Sequence, residues 1–207
     1  MCSKIIENIA TALSYIFHPI LAIIYFLITV FFCSSFIDGT FVTLKFKMLL
    51  LGQIAFLTIL LPILLHYIVK YGEKCLNLNL FRKGNRLALL LITAICYIIA
   101  MFSTTPYFGV FFAKKLFLTA AIVISAANVL MLFMPVSLHI LSLSVATALM
   151  IGMQISRYAD FETAILVSIL ITGFVGSSRL VLEQNKPSQL AYSYGLGLFL
   201  TLFLLWL

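Results

Sequence analysis

The feature that most constrains this chain is a series of apolar stretches of membrane-spanning length, separated by short polar breaks. About 20 mostly apolar residues are needed to cross a hydrocarbon core of about 30 Å. The stretches fall at roughly 16–37, 47–69, 87–104, 109–134, 136–155, 161–178 and 190–207. Hydrophobic residues make up 64% and charged residues 9%, too few charges for the surface of a soluble domain. We therefore predict an all-α integral membrane protein, a helical bundle of about seven (six to seven) transmembrane helices that forms one domain over residues 1–207.

The boundary between the fourth and fifth spans decides this topology. Only Pro135 and Ser137 interrupt an apolar run of about 40 residues, which is too long for one crossing. We therefore predict a tight turn at Phe133-Met134-Pro135. Pro135 can then open the fifth helix and Ser137 can cap it, which places His139 in the first helical turn. If the chain does not turn here, His139 lies within a span.

Charge and cysteine usage narrow the function classes. The 13 Lys and Arg, which give a net charge of +7, lie mostly in short connections and form no basic stripe interleaved with aromatics, so no nucleic-acid partner is predicted. The cysteines have neither metal-ligand nor disulfide-framework spacing, and no cofactor or metal is predicted. With the N-terminus inside, eight Lys and Arg fall on the inner side against five, so the positive-inside rule predicts a cytoplasmic N-terminus. If Arg86 and Arg179 serve a site instead, the balance of six against five decides nothing.

Three polar segments fall on one face of a seven-span bundle. The second, fourth and sixth loops share a side, which brings Arg86, His139 and Arg179 to the same face. The N-terminus of a helix stabilises a phosphate, and a histidine there can protonate a leaving oxygen. An arginine fork suits phosphate oxygens. This face is therefore predicted to hold a phosphate site.

These segments resemble the type 2 phosphatidic acid phosphatase (PAP2) superfamily, whose motifs are Lys-x6-Arg-Pro, Pro-Ser-Gly-His and Ser-Arg-x5-His-x3-Asp. Ser178-Arg179 followed by Asn185 and Gln189 keeps the spacing of the third motif. Ser137-Leu138-His139 is similar to the second motif, with leucine in place of glycine.

The first motif and the opening of the chain extend the resemblance over most of the sequence. Arg86 is the counterpart of the first-motif arginine, although Asn79 stands at the lysine position and Leu87 at the proline position. Residues 14–19, Ser-Tyr-Ile-Phe-His-Pro, look like the start of the compact PAP2-like membrane proteins of Bacteroidota. The resemblance implies a PAP2-like fold in a bacterial inner membrane, with all three motifs at one membrane face.

The third motif departs from the family where the chemistry depends on it. The resemblance implies that a histidine attacks phosphorus, that an aspartate orients it, and that the second-motif histidine protonates the leaving group. Here Asn185 holds the nucleophile position and Gln189 that of its partner. An amide nitrogen cannot replace imidazole as a covalent nucleophile, but both amides can donate hydrogen bonds to phosphate. We therefore predict a pseudoenzyme that binds a membrane lipid phosphate (phosphatidate or polyprenyl phosphate), with catalysis absent or very slow. His139 is the candidate acid, and the predicted phosphate-binding residues are Arg86, Arg179, Asn185 and Ser178.

Other interpretations stay open. The protein can be a working lipid phosphatase of altered mechanism, in which His139 activates water. It can instead be a structural or partner subunit, or a small transporter. Arg179 alone is typical of a snorkelling interfacial residue, and His139 alone of a packing contact. His18-Pro19 is interpreted as the start of a helix. Contacts between packed helices are predicted for Gln53, His66, Asn128, Gly173, Gly176, Gly195 and Gly197.

Overall fold

The computed structural model describes residues 2–32, 43–76, 85–108, 114–156 and 160–207, and within these ranges it contains helices and no strands. Five helical stretches are long and apolar enough to cross a membrane: Lys4–Phe32, Leu44–Ile68, Leu138–Ile155, Glu162–Val181 and Pro187–Trp206. Two shorter apolar helices cover Leu89–Thr104 and Lys115–Leu130. The predicted all-helical character is therefore confirmed, and the apolar helices fit an integral membrane protein.

Most helices follow the predicted apolar stretches, but the first helix precedes the first stretch, 16–37, and a 3₁₀ turn at Pro19–Leu21 interrupts that stretch. In the first part of the chain they are α1 (Cys2–Ile16), α2 (Ala22–Phe32), α3 (Leu44–Ala55), α4 (Leu61–Leu76) and α5 (Asn85–Phe108). A π-helical segment, Phe56–Leu60, joins α3 to α4, and another, Lys114–Leu118, leads into α6. The remaining helices are α6 (Thr119–Leu130), α7 (Leu138–Ile155), α8 (Glu162–Val181) and α9 (Pro187–Trp206).

Two compact units divide the chain. The terminal unit comprises Met1–Met48 and Met134–Leu207, and the central unit comprises Leu49–Phe133. In the central unit α5 packs against α4 and α6. The Gln53 side chain of α3 donates to the Ser103 hydroxyl of α5 at 3.1 Å, which confirms the predicted interhelical contact of Gln53. That the whole chain forms one membrane domain stays a prediction.

The predicted break of the long apolar run is confirmed. Helix α6 ends at Leu130, residues 131–134 form a turn, and α7 begins at Leu138. Pro135 lies in the connection, so it does not open α7 as predicted. Ser137 is the N-cap residue, but its side chain makes no capping hydrogen bond to the helix backbone. His139 is the second residue of α7 and lies in the first turn as predicted.

Helix α7 is the centre of the terminal unit, where it packs against α2, α8 and α9. Gly197 of α9 faces Leu141 and Ser144 of α7, and Gly152 of α7 faces Leu205 of α9. The residue numbers rise together along both helices, so α7 and α9 run parallel. A Cβ built on Gly197 would lie 1.9 Å from the Ser144 Oγ and 2.9 Å from the Leu141 carbonyl oxygen, so only glycine permits this approach.

The parallel pair determines which polar segments meet. Because α8 connects α7 to α9 and packs against α7, its C-terminus lies beside the N-termini of α7 and α9. Helix α1 packs against α8. A three-residue 3₁₀ turn, Pro19–Leu21, follows α1 and packs against α7 before α2 begins. The second and third predicted motifs therefore lie at the same end of the terminal unit.

Candidate functional site

The end of α8 creates the spacing of the third motif. Glu183 takes a left-handed φ of 52°, which ends the helix in a conformation usually occupied by glycine. The Glu183 N–H donates to the Leu180 carbonyl at 3.0 Å, and the Gln184 N–H donates to the Arg179 carbonyl at 3.1 Å. This pair of bonds is the Schellman arrangement of a helix C-terminus. Pro187, three residues after Gln184, opens α9, so the connection between the two helices is short.

Asn185 is the centre of a side-chain network in this connection. Its Oδ1 accepts from the Arg179 Nε at 3.0 Å and from the Ser137 hydroxyl at 3.3 Å. Its Nδ2 donates to the Gln189 Oε1 at 3.1 Å. Gln189 Oε1 also accepts the Lys186 backbone N–H at 3.1 Å, which satisfies a donor at the start of α9. The structure therefore connects the second and third motifs through one amide side chain.

A second set of bonds holds the start of α7 against α9. The Ser137 N–H donates to the buried Ser193 hydroxyl at 2.9 Å, and this hydroxyl donates to the Gln189 carbonyl at 2.5 Å. The Tyr192 hydroxyl donates to the Pro135 carbonyl. These bonds satisfy the Ser137 N–H and the Pro135 carbonyl, which lie in the connection between α6 and α7, outside the helices. They fix the position of Ser137, and with it the orientation of the first turn of α7.

His139 contacts the N-terminal segment of the chain. Its Nε2 lies 3.3 Å from the Ser14 carbonyl oxygen. A carbonyl oxygen only accepts, so Nε2 carries the hydrogen, and the lone pair of the neutral ring lies on Nδ1. The His18 ring packs edge-on against the His139 ring, with centroids 5.6 Å apart and planes at 77°. His18 also caps the 3₁₀ turn, because its Nδ1 accepts the Ile20 N–H at 3.4 Å. The interpretation of His18-Pro19 as the start of a helical segment is therefore confirmed.

The structure brings some of the predicted site residues together. Arg179 and Asn185 share a hydrogen bond, and His139 lies two residues after Ser137 of the same network. Ser178 is buried and its hydroxyl donates to the Phe174 carbonyl at 2.7 Å, a bond within α8. Arg86 is the second residue of α5 in the central unit, as expected for the start of a span. Its side chain lies outside the described residues, and so does Asn79.

The side chains of this network are suited to binding an anionic ligand. A half-buried guanidinium, two amides and a hydroxyl offer hydrogen-bond donors suited to anionic oxygens. Asn185 sits at the motif position of the nucleophile, and its amide hydrogen-bonds to Arg179 and Gln189. Among the described residues no group of three or more His, Cys, Asp or Glu side chains is arranged to hold a metal ion.

Three residues that structure the site were not predicted. Ser193 and Tyr192 lie in the first turns of α9, outside the spacing of the motifs. Only helical periodicity pointed to Ser193, because it follows Gln189 by four residues and therefore lies on the same face of the helix. His18 belongs to a distant segment, and nothing in the sequence indicates its contact with His139.

No protein-family model matches the chain, and neither does any curated protein or solved structure.

Proposed function

We propose that this protein is a PAP2-like membrane protein that binds the phosphate of a phosphorylated lipid and lacks the covalent step of lipid phosphatases. The observation that carries the proposal is the network in which Asn185 joins Arg179 of the third motif to Ser137 of the second. The two segments are far apart in sequence, and the resemblance requires them to meet. Their convergence at one end of the terminal unit supports the resemblance independently of the motif letters.

Arg179 is the residue on which phosphate binding depends most in this proposal. Asn185 holds its Nε, which fixes the plane of the guanidinium relative to the start of α7. A preorganised arginine loses less side-chain entropy when it binds a phosphate group. His139, at the N-terminus of α7, adds an imidazole where the helix dipole favours an anion.

The binding experiment uses purified protein and dioctanoyl phosphatidate, with the dissociation constant measured by calorimetry in detergent. Arg179→Ala is expected to weaken binding by about tenfold or more, because a charge-assisted hydrogen bond to phosphate is removed. Lys45→Ala is the matched control, since it removes one positive charge from the start of α3. Neighbouring Lys47 contacts the Phe31 carbonyl at the far end of α2, so this region lies away from the motif segments. Equal binding by wild type and Arg179→Ala would contradict the proposed phosphate site.

Catalysis is proposed to be absent or very slow, because Asn185 cannot form a phosphoenzyme. Phosphate release from phosphatidate or undecaprenyl diphosphate is the measurement. Release that His139→Ala abolishes would overturn this part of the proposal.

A second candidate function is hydrolysis through water activated by His139. The position of His139 favours it, because the residue lies in the first turn of α7, two residues after Ser137 of the motif network. Phosphate release without a covalent intermediate supports this candidate. Trapping of a phosphorylated protein contradicts it.

The proposed topology has seven crossings in a bacterial inner membrane, with the N-terminus on the cytoplasmic side. Five helices of membrane length and two shorter apolar helices support the number of crossings. The distribution of Lys and Arg supports the orientation. An odd number of crossings requires the termini on opposite sides, so reporter fusions at each terminus test both statements. Termini on the same side would contradict the proposed count.

A further inference from the structure

A break in the first apolar stretch brings a histidine to the phosphate site. Helix α1 ends at Ile16, and α2 begins only after the 3₁₀ turn Pro19–Leu21. Phe17 packs with the cluster of Ile140, Leu143 and Val175, which anchors the break against α7 and α8. His18 follows directly, half-buried, with its ring 5.6 Å from that of His139.

We propose that His18 is a phosphate-binding residue of this site, in which its imidazole donates to a phosphomonoester held beside His139. This inference rests on the proposed function and adds a residue that none of the three motifs contains. The recognised chemistry is a phosphate monoester, either the headgroup of a lipid or free phosphate.

The hydrogen bond of His18 determines what its ring can offer. Its Nδ1 accepts the Ile20 N–H at 3.4 Å, so the neutral ring carries its hydrogen on Nε2. His18 is therefore a donor through Nε2. It is not arranged as a nucleophile, because Nδ1 is already used by the backbone. A donor of this kind fits a phosphate oxygen, and a positively charged imidazole fits it still better.

Two further observations support a polar ligand near the histidine pair. The Ser14 hydroxyl, in the residue whose carbonyl contacts His139, is buried without a hydrogen-bond partner within the described part of the chain. A buried hydroxyl without a partner costs about 1 to 3 kcal/mol, which a ligand oxygen would remove. The pair is also continuous with the Asn185 network, because Ser137 lies two residues before His139. That network carries the positive charge of Arg179.

Nuclear magnetic resonance of the imidazole nitrogens tests the proposal directly, because the chain contains only 3 histidines. Purified protein in detergent, with its histidine nitrogens isotopically labelled, is titrated separately with dioctanoyl phosphatidate, dioctanoylglycerol and inorganic phosphate. We expect the signals of His18 and His139 to move together with phosphatidate and to stay unchanged with dioctanoylglycerol. His66, in α4 of the central unit, is the internal control and should not move.

Two substitutions separate ligand binding from the local fold. His18→Asn keeps a side-chain acceptor for the Ile20 N–H and removes Nε2, so the turn is retained and phosphatidate binding should weaken about tenfold. His18→Gln places an amide donor near the position of Nε2 and should recover most of the lost affinity. His66→Asn is the matched control and should bind as the wild type does.

The outcomes are distinguishable. If phosphatidate binds in an Arg179-dependent manner but the His18 signal stays still and His18→Asn binds normally, the role of His18 is wrong and the proposed function stands. If no form of phosphate binds, both fall. If inorganic phosphate moves the two signals at the same concentration as phosphatidate, His18 is a phosphate ligand and the source is free phosphate.

Discussion

Replacing Asn185 by aspartate separates phosphate binding from folding. Asn185→Asp keeps an oxygen for the Arg179 Nε and the Ser137 hydroxyl, both of which Oδ1 now accepts at 3.0 and 3.3 Å. The other carboxylate oxygen would face the Gln189 Oε1, so the Gln189 amide must rotate and the Lys186 N–H loses its acceptor. A gained charge-assisted bond offsets this loss, and we expect the free energy of unfolding to change by less than about 1 kcal/mol.

Phosphate binding should respond much more strongly to the same change. A phosphate on the terminal nitrogens of Arg179 would lie about 6 Å from the new carboxylate, given one guanidinium and one hydrogen bond between them. At this separation like unit charges repel by about 1.4 to 3 kcal/mol for effective dielectric constants of about 40 to 20. The dissociation constant for dioctanoyl phosphatidate should therefore rise about ten- to hundredfold.

Calorimetric titration and thermal unfolding in the same detergent measure the two quantities. Gln184→Glu is the control, because it adds the same charge at an exposed side chain one residue earlier. That variant should change the dissociation constant by less than about threefold, since exposed charges are screened. Unchanged phosphatidate affinity in a folded Asn185→Asp protein would refute the placement of phosphate at Arg179.

Three predictions concern the packing that holds the site. Gly197→Ala should destabilise the protein by about 1 to 3 kcal/mol, because the added Cβ would clash with the Leu141 carbonyl. Gly173→Ala is the control and should not destabilise it, because nothing lies within 4 Å of the added Cβ. Equal unfolding temperatures of the two variants would contradict the close approach of α9 to α7. Ser193→Ala should cost about 1 to 2 kcal/mol, since it leaves the buried Ser137 N–H without an acceptor. Glu183→Gly should raise the unfolding temperature, because it relieves a left-handed residue; a lowered temperature would contradict this reasoning.

Most of the helices, though not α1, and the break before α7 were predictable because apolar runs of fixed length leave few alternatives in a membrane. Pro135 indicated the break correctly, although the helix begins three residues later than proline at a first helical position would place it. The third-motif spacing singled out Arg179 and Asn185, and the structure joins them by a hydrogen bond, since a Schellman end followed by a short connection returns Asn185 to Arg179.

Contacts between distant segments could not be predicted in the same way. Gly173, Gly176, Gly195 and Gly197 all suggest close helix packing in the sequence, but only Gly197 meets backbone of another helix. Which glycine faces a neighbour depends on the rotation of α9 about its axis, and α9 is apolar on nearly all sides. The contact of His18 with His139 likewise depends on the direction of the turn after α1, which the spacing of apolar residues does not determine.

The most direct test of the central claim is the coupling between Arg179 and the phosphate group. Dissociation constants are measured for dioctanoyl phosphatidate and dioctanoylglycerol, which differ only in the phosphate, with wild type and with Arg179→Ala. We predict that wild type binds the phosphatidate at least about tenfold more tightly and that Arg179→Ala binds both lipids alike. A preference for phosphatidate that survives Arg179→Ala, or no preference in the wild type, would contradict it.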